Sequence, residues 1–222
     1  FRFTALVISF LFVTQASGQI DKPLFYNSSE GISQHSITAI TQDHKGFLWI
    51  ATRYGLHRYD GIQYRSYLDG GTDSSQLSNN VINTLLVDHN GDIWAGINGG
   101  GLGFYDYSED HYELLPLQEG ECGFGSRQVN VIFQDEQLRI WVGTDQGVYV
   151  KDKGSGCWKH YTHQKNSEQS LSSGNIASIA QDAEGNIWIG TWSNGLNLWD
   201  PKTDDFTRFT TKNTPAVTMV AA

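Results

Sequence analysis

Basic side chains are scarce in this chain: 15 Lys and Arg stand against 24 Asp and Glu, for a formal net charge of −9. That balance repels phosphate backbones and anionic lipid, so nucleic acid is not an expected partner. Cysteine is limited to Cys122 and Cys157. Neither has a second Cys at ligand spacing, which argues against a zinc site and leaves one intrachain bridge or two unpaired thiols as alternatives. The apolar run Ala5 to Val13 (ALVISFLFV) is too short for a membrane span. With Arg2 before it and Gln15-Ala16-Ser17-Gly18 after it, it has the outline of a secretory signal peptide over residues 1–18. Export would put the cysteines in a compartment where they can pair. A buried N-terminal strand is the alternative. Residue 1 is Phe and the single Met is Met219, so we expect the natural start to be missing. No Gly-x-Ser-x-Gly, phosphate loop or His-Glu-x-x-His occurs, and neither a catalytic residue, a cofactor nor a metal is expected in this segment.

What is present repeats. Trp49, Trp94, Trp141 and Trp188 are separated by 45, 47 and 47 residues. Six positions before each stands Asp43, Asp88, Asp135 or Asp182, and six or seven after each stands Gly55, Gly101, Gly147 or Gly195. Within the first unit SITAITQD, FLWIAT, GLHRYD and QYRSYL alternate apolar and polar residues, the period of strands. The turns DHKG, DHNG and DAEG join the first two strands, with Asp bonding the following backbone and Gly free to take a positive φ. The third unit has Asp135-Glu136-Gln137-Leu138 there, so its turn should be of another type or strained.

Four strands in each unit of about 45 residues predict an all-β propeller of antiparallel four-stranded blades. The expected blades run over about residues 36–68, 80–115, 128–163 and 175–210, within a propeller region covering 19–222. Ala216 to Ala222 reads as the start of a fifth blade, and Leu24 to Tyr26 as an outer strand that closes the ring. Each repeat Trp faces the neighbouring blade, burying about 150–250 Å². The repeated Asp residues are read as turn formers and not as a carboxylate ring, because a residue at one hairpin position in every blade serves the blade. His160 and His163, three apart on a presumed strand, point to opposite faces and do not suggest a metal site.

The units GFLWIATRYGLHRYDG, GDIWAGINGGGLGFYD and GNIWIGTWSNGLNLWD, with the lead-in EGISQHSITAITQD, resemble the two-component regulator propeller repeat. The resemblance implies a periplasmic propeller, usually of seven blades, at the start of a sensor. Downstream it implies a membrane segment and a cytoplasmic histidine kinase or, in some bacteria, a diguanylate cyclase. It also implies a homodimer through the full-length receptor, with membrane contact only through the downstream segment.

Propellers usually bind ligands where second strands turn into third strands and fourth strands lead to the next blade. The first set here is Arg53-Tyr54, Ile97-Asn98, Asp145-Gln146 and Trp192-Ser193-Asn194, the most variable part of the repeat. Aromatic rings beside amides and charges suit an oligosaccharide or similar small molecule. The candidate ligand contacts are therefore Arg53, Tyr54, Asn98, Asp145, Gln146, Trp192 and Asn194. Two other readings stay open: a secreted propeller lyase or glycosidase, and a protein-docking platform.

Overall fold

The computed structural model describes residues 36–67, 81–118, 120 and 122–210. The expected leader, the strand at Leu24 to Tyr26, most of the first interblade connector and the fifth-blade start lie outside these residues. The described chain forms sixteen strands in four antiparallel sheets of four, each in simple sequence order. The first blade comprises β1(Ile37–Gln42), β2(Leu48–Thr52), β3(Gly55–Tyr59) and β4(Tyr64–Tyr67). The second comprises β5(Ile82–Val87), β6(Ile93–Ile97), β7(Gly101–Asp106) and β8(His111–Leu114). β9(Val129–Gln134), β10(Ile140–Thr144), β11(Val148–Lys151) and β12(Trp158–Tyr161) make the third, and β13(Ile176–Gln181), β14(Ile187–Thr191), β15(Leu196–Asp200) and β16(Asp205–Phe209) the fourth.

Every repeat Trp sits on the second strand of its blade, and the core lies between blades. Trp49, Ala51 and Leu56 pack on Ile82, Ile93 and Tyr105 of the second blade. Leu102 and the half-buried Trp94 pack on Val129, Ile140 and Trp158 of the third. Trp141 and Val148 pack on Ile176, Ile187 and Trp199 of the fourth. At about 25 cal/mol per Å², a buried indole contributes at most about 4–6 kcal/mol. Trp188 has no further blade against it among the described residues and is half-buried. Ile40, on the other free face, is 59% exposed.

The repeated Asp does more than shape a turn. Asp43 Oδ1 accepts the N–H groups of Lys45 and Phe47, while Oδ2 accepts Trp49 Nε1 at 2.7 Å. Asp88, Asp135 and Asp182 accept Trp94, Trp141 and Trp188 in the same way, at 2.9, 2.7 and 2.7 Å. One carboxylate thus ties the hairpin to the indole that wedges the next blade. The third unit keeps the same turn, with Leu138 at φ 64° where Gly46, Gly91 and Gly185 lie at 88°, 87° and 85°. Its strain is offset by Arg139, whose Nε donates to Asp135 Oδ2 at 2.5 Å and whose guanidinium lies 4.6 Å from the Trp199 ring.

Blades are also linked at their inner strands. The pairing of first and second strands slips by one residue in every blade, leaving Thr38, Asn83, Asn130 and Ala177 unpaired in bulges. A bulge re-aims its side chain. Thr38 Oγ1, Asn83 Nδ2 and Asn130 Nδ2 each donate to the first inner-strand carbonyl of the next blade, Ile82, Val129 and Ile176, at 2.5, 2.7 and 2.8 Å. Ala177 has nothing to donate.

At the outer rim, Asp110 in the β7–β8 hairpin (φ 52°) accepts Tyr105 and, across the junction, Tyr67, Arg58 and Arg65 of the first blade. Asp204 in the β15–β16 hairpin (φ 63°) accepts Trp199 and, across its junction, Tyr161 and Lys159 of the third blade. Arg65 and Lys159 are more than half exposed, so their ion pairs contribute little, and the shielded phenol and indole donors carry most of the clasp.

Replacing Leu138 by Gly is expected to raise stability by about 1 kcal/mol, because only the leucine is strained in the left-handed region. An unchanged urea midpoint would show that the turn is unstrained. A second expectation concerns acid. Burial pushes the carboxyls of Asp43, Asp110 and Asp204 up, but their hydrogen-bond donors outweigh it and hold all three below the ordinary range. Asp182 is held at about 2, chiefly by the Trp188 indole and then by Asn186. Folded values below the unfolded value mean that this stabilisation is complete above about pH 4 and fades as pH falls through the folded values. Urea midpoints should therefore drop below about pH 4, and less so in Asp110→Asn; a flat profile down to about pH 2 would refute the assignment.

Candidate functional site

Up-and-down blades place the β2–β3 type of turn and the connectors between blades at one end of the sheets, and the contacts agree. Asn98 N donates to Val81 O, and Trp192 N donates to Asn175 O. In three blades a Thr that closes the second strand builds the turn. Thr52, Thr144 and Thr191 donate through Oγ1 to the carbonyls of Gly55, Gly147 and Gly195, at 3.1, 2.8 and 3.0 Å. The same hydroxyls accept the N–H groups of Tyr54, Gln146 and Asn194. The backbone is thus held by a buried hydroxyl, and the loop side chains are free to differ. Ile97 replaces Thr in the second blade, where Gly99 adds a second positive φ, 79°, to the one that Gly101 shares with Gly55, Gly147 and Gly195.

Part of the expected site is brought together. Asn98 pairs with Gln128 in an isolated bridge. Gln128 Nε2 donates to Asn130 Oδ1 at 3.4 Å, and Asn130 Nδ2 donates to Asn175 Oδ1 at 3.3 Å. Since Asn175 O holds the Trp192 backbone at 3.1 Å, the contacts run continuously from the second blade to the fourth. The Trp192 ring remains 64% exposed beside them. Asn194 Nδ2 donates to the carbonyl of Ser172, whose hydroxyl is buried without a partner among the described residues. Asp145 Oδ1 accepts Ser126 Oγ at 3.1 Å, and Gln146 is exposed with its carbonyl on His160 Nε2. Arg53 and Tyr54 are exposed on the first blade, at the same end but apart from this chain of contacts.

Sequence reasoning missed Gln128, Asn130 and Asn175. Their signal was an amide at the start of each later inner strand, visible only once the bulge is known. The two histidines of the third blade have partners in the fold: His160 stacks on Tyr149 with centroids 3.9 Å apart, and burial lowers its pKa. His163 lies beyond β12, not on a strand, with Nδ1 2.7 Å from the Leu171 carbonyl. The charge is sparse and the polar groups are mostly amides and hydroxyls, so the face suits an uncharged polar ligand with one flat apolar side.

Three segments, residues 31–54, 76–99 and 170–193, match the family described as Two component regulator propeller. The chain therefore carries these propeller repeats, and the third unit, with Leu138 at the turn, lies outside the matched segments. Among solved structures it is similar to the extracellular domain of a putative hybrid two component system from B. thetaiotaomicron, at 26% identity and a TM-score of 0.74, covering 84% of this chain and 26% of that one. It is also 34% identical over 79 residues to "Histidine kinase P4" of Formosa agariphila, a match covering 34% of this chain and 6% of that protein. A virginiamycin B lyase from Staphylococcus aureus shares the fold at 15% identity and a TM-score of 0.58, covering 82% of this chain and 56% of the lyase. The chain thus spans about a quarter of the structural relative and a small part of the kinase.

Asn130→Ala removes both an interblade bond and the partner of Asn175. It is expected to cost about 1 kcal/mol and to leave the strands intact; a urea midpoint equal to the parent's would show that the amide carries no junction.

Proposed function

We propose that this propeller is the exported, periplasmic sensing segment of a membrane-anchored two-component signalling protein, and that it takes an uncharged oligosaccharide or similar polyhydroxylated molecule. The exposed Trp192 ring beside oriented amides carries this reading. An indole face stacks on the apolar side of a sugar ring, while Asn175 and Asn194 exchange hydrogen bonds with its hydroxyls. Likeness to an extracellular domain of a hybrid two component system supports the compartment and the role. Ligand contacts that differ between two arrangements of a homodimer would bias a cytoplasmic histidine kinase. The likeness to a lyase, at 15% identity, extends to fold alone.

The test is calorimetric titration of the chain with xylohexaose, mannohexaose, arabinohexaose and, as a charged control, hexagalacturonate. Binding of an uncharged member, weakened at least about tenfold (about 1.4 kcal/mol) by Trp192→Ala and by Asn175→Ala, is expected. The same variants should keep the parent's urea midpoint within about 0.5 kcal/mol, since both residues are exposed. Binding of hexagalacturonate alone, or binding indifferent to both substitutions, would overturn this site.

A further inference from the structure

The connectors entering the third and fourth blades are built alike but held by different chemistry. Each gives a carbonyl to an N–H in the first two residues of the outer strand: Cys122 O accepts Trp158 N, and Gln169 O accepts Phe206 N. Beyond that point the connector of the fourth blade is gripped by Arg208, which donates to the carbonyls of Ser167, Ser170 and Leu171 and to Ser170 Oγ at 2.6 to 2.9 Å. At the corresponding place in β12 stands His160, stacked away on Tyr149. The connector of the third blade is held instead by a disulfide between Cys122 and Cys157. This junction also lacks the rim clasp among the described residues: Gly156 stands two before Trp158, where Asp110 and Asp204 stand two before Tyr112 and Phe206. Where Tyr67 and Tyr161 donate, it has Leu115.

What the disulfide holds leads to the loop face. Past Cys122 the connector drops Phe124 into the core against Tyr149 and Trp158, at 4.7 and 5.3 Å. It then places Ser126, whose hydroxyl accepts Gln128 N and donates to Asp145 Oδ1. The Asp145–Gln146 turn is therefore joined, through Ser126, to a segment anchored by a bond that a reductant can open. Cys122 is exposed and Cys157 half-buried, which gives a thiolate access to Cys122 Sγ.

We propose that the Cys122–Cys157 disulfide is a redox latch that sets the order of the Asp145–Gln146 turn. A dithiol reductant opens it by thiol–disulfide exchange. One thiolate attacks Cys122 Sγ, the S–S bond breaks with Cys157 leaving as thiolate, and the reductant's second thiol closes onto the mixed disulfide. Two electrons pass to the protein, both cysteines end as thiols after protonation, and the reductant ends as a disulfide. The fourth blade, gripped by Arg208, does not respond. The consequence for recognition rests on the sensing role proposed above, but the latch is read without any ligand, so each can fail alone.

Amide-resolved hydrogen exchange by NMR on the whole chain, with and without dithiothreitol, is the test. Reduction is expected to speed exchange at least tenfold at Trp158, at Gln128 and at Gln118, whose N–H donates to the Phe124 carbonyl, and to shift the Asp145 and Gln146 amides, while Phe206 keeps its protection. Cys122→Ser with Cys157→Ser should reproduce this without reductant. Ser126→Ala in the oxidised chain should move Asp145 and Gln146 while leaving Trp158 protected. Exchange that accelerates in all four blades together would make the bond a general staple and overturn the latch. Unchanged Asp145 and Gln146 amides on reduction or in Ser126→Ala would overturn the coupling.

Discussion

A single blade of this protein cannot bury its own faces, and the device that solves this is a carboxylate shared between a hairpin and an indole. Asp43, Asp88 and Asp182 each satisfy two backbone N–H groups of the first turn with one oxygen, Asp135 satisfies that of Arg139, and all four take the Trp Nε1 with the other. The turn sets the position of the carboxylate, and the carboxylate sets the angle of the ring. The ring then fills the gap to the following sheet, so local hairpin geometry is converted into blade spacing. Because the indole N–H is satisfied within its own blade, the buried face offered to the neighbour is apolar, as close packing requires.

With spacing set this way, each junction can be finished by different chemistry. Bulge side chains stitch the inner strands of successive blades, and acidic hairpin tips close the rim of the first and third junctions. Among the described residues the middle junction has neither Asp nor Tyr at the rim, and the connector that enters its third blade is tied to that blade by a disulfide. Repetition of the wedge tolerates such exchange, since the apolar contact supplies most of the attraction and the polar groups supply register and specificity.

The loop face follows the same division. A buried Thr hydroxyl holds the second turn of three blades, which leaves Arg53-Tyr54, Asp145-Gln146 and Trp192-Asn194 free to differ on a constant frame. The amides of Gln128, Asn130 and Asn175 join three of the blades across this face. Likeness to the extracellular domain of a putative hybrid two component system agrees with a propeller built in this way.

The sequence by itself determined the architecture: Asp, Trp and Gly at constant spacing, with period-two alternation between them, admit little besides repeated four-stranded blades. It also marked the loops that vary. It showed the repeated Asp as a turn former but not as the partner of the indole, because a bond across six residues depends on how the hairpin twists. The bulge at Thr38, Asn83, Asn130 and Ala177 was hidden because it falls one residue into each inner strand, too near the end for the shifted alternation to show in the hydrophobic pattern. Pairing of Cys122 with Cys157, the rim clasps and the amide chain from Asn98 to Trp192 were decided only by tertiary structure. Each joins residues whose separation is set by the packing of whole blades, a distance to which local sequence is blind.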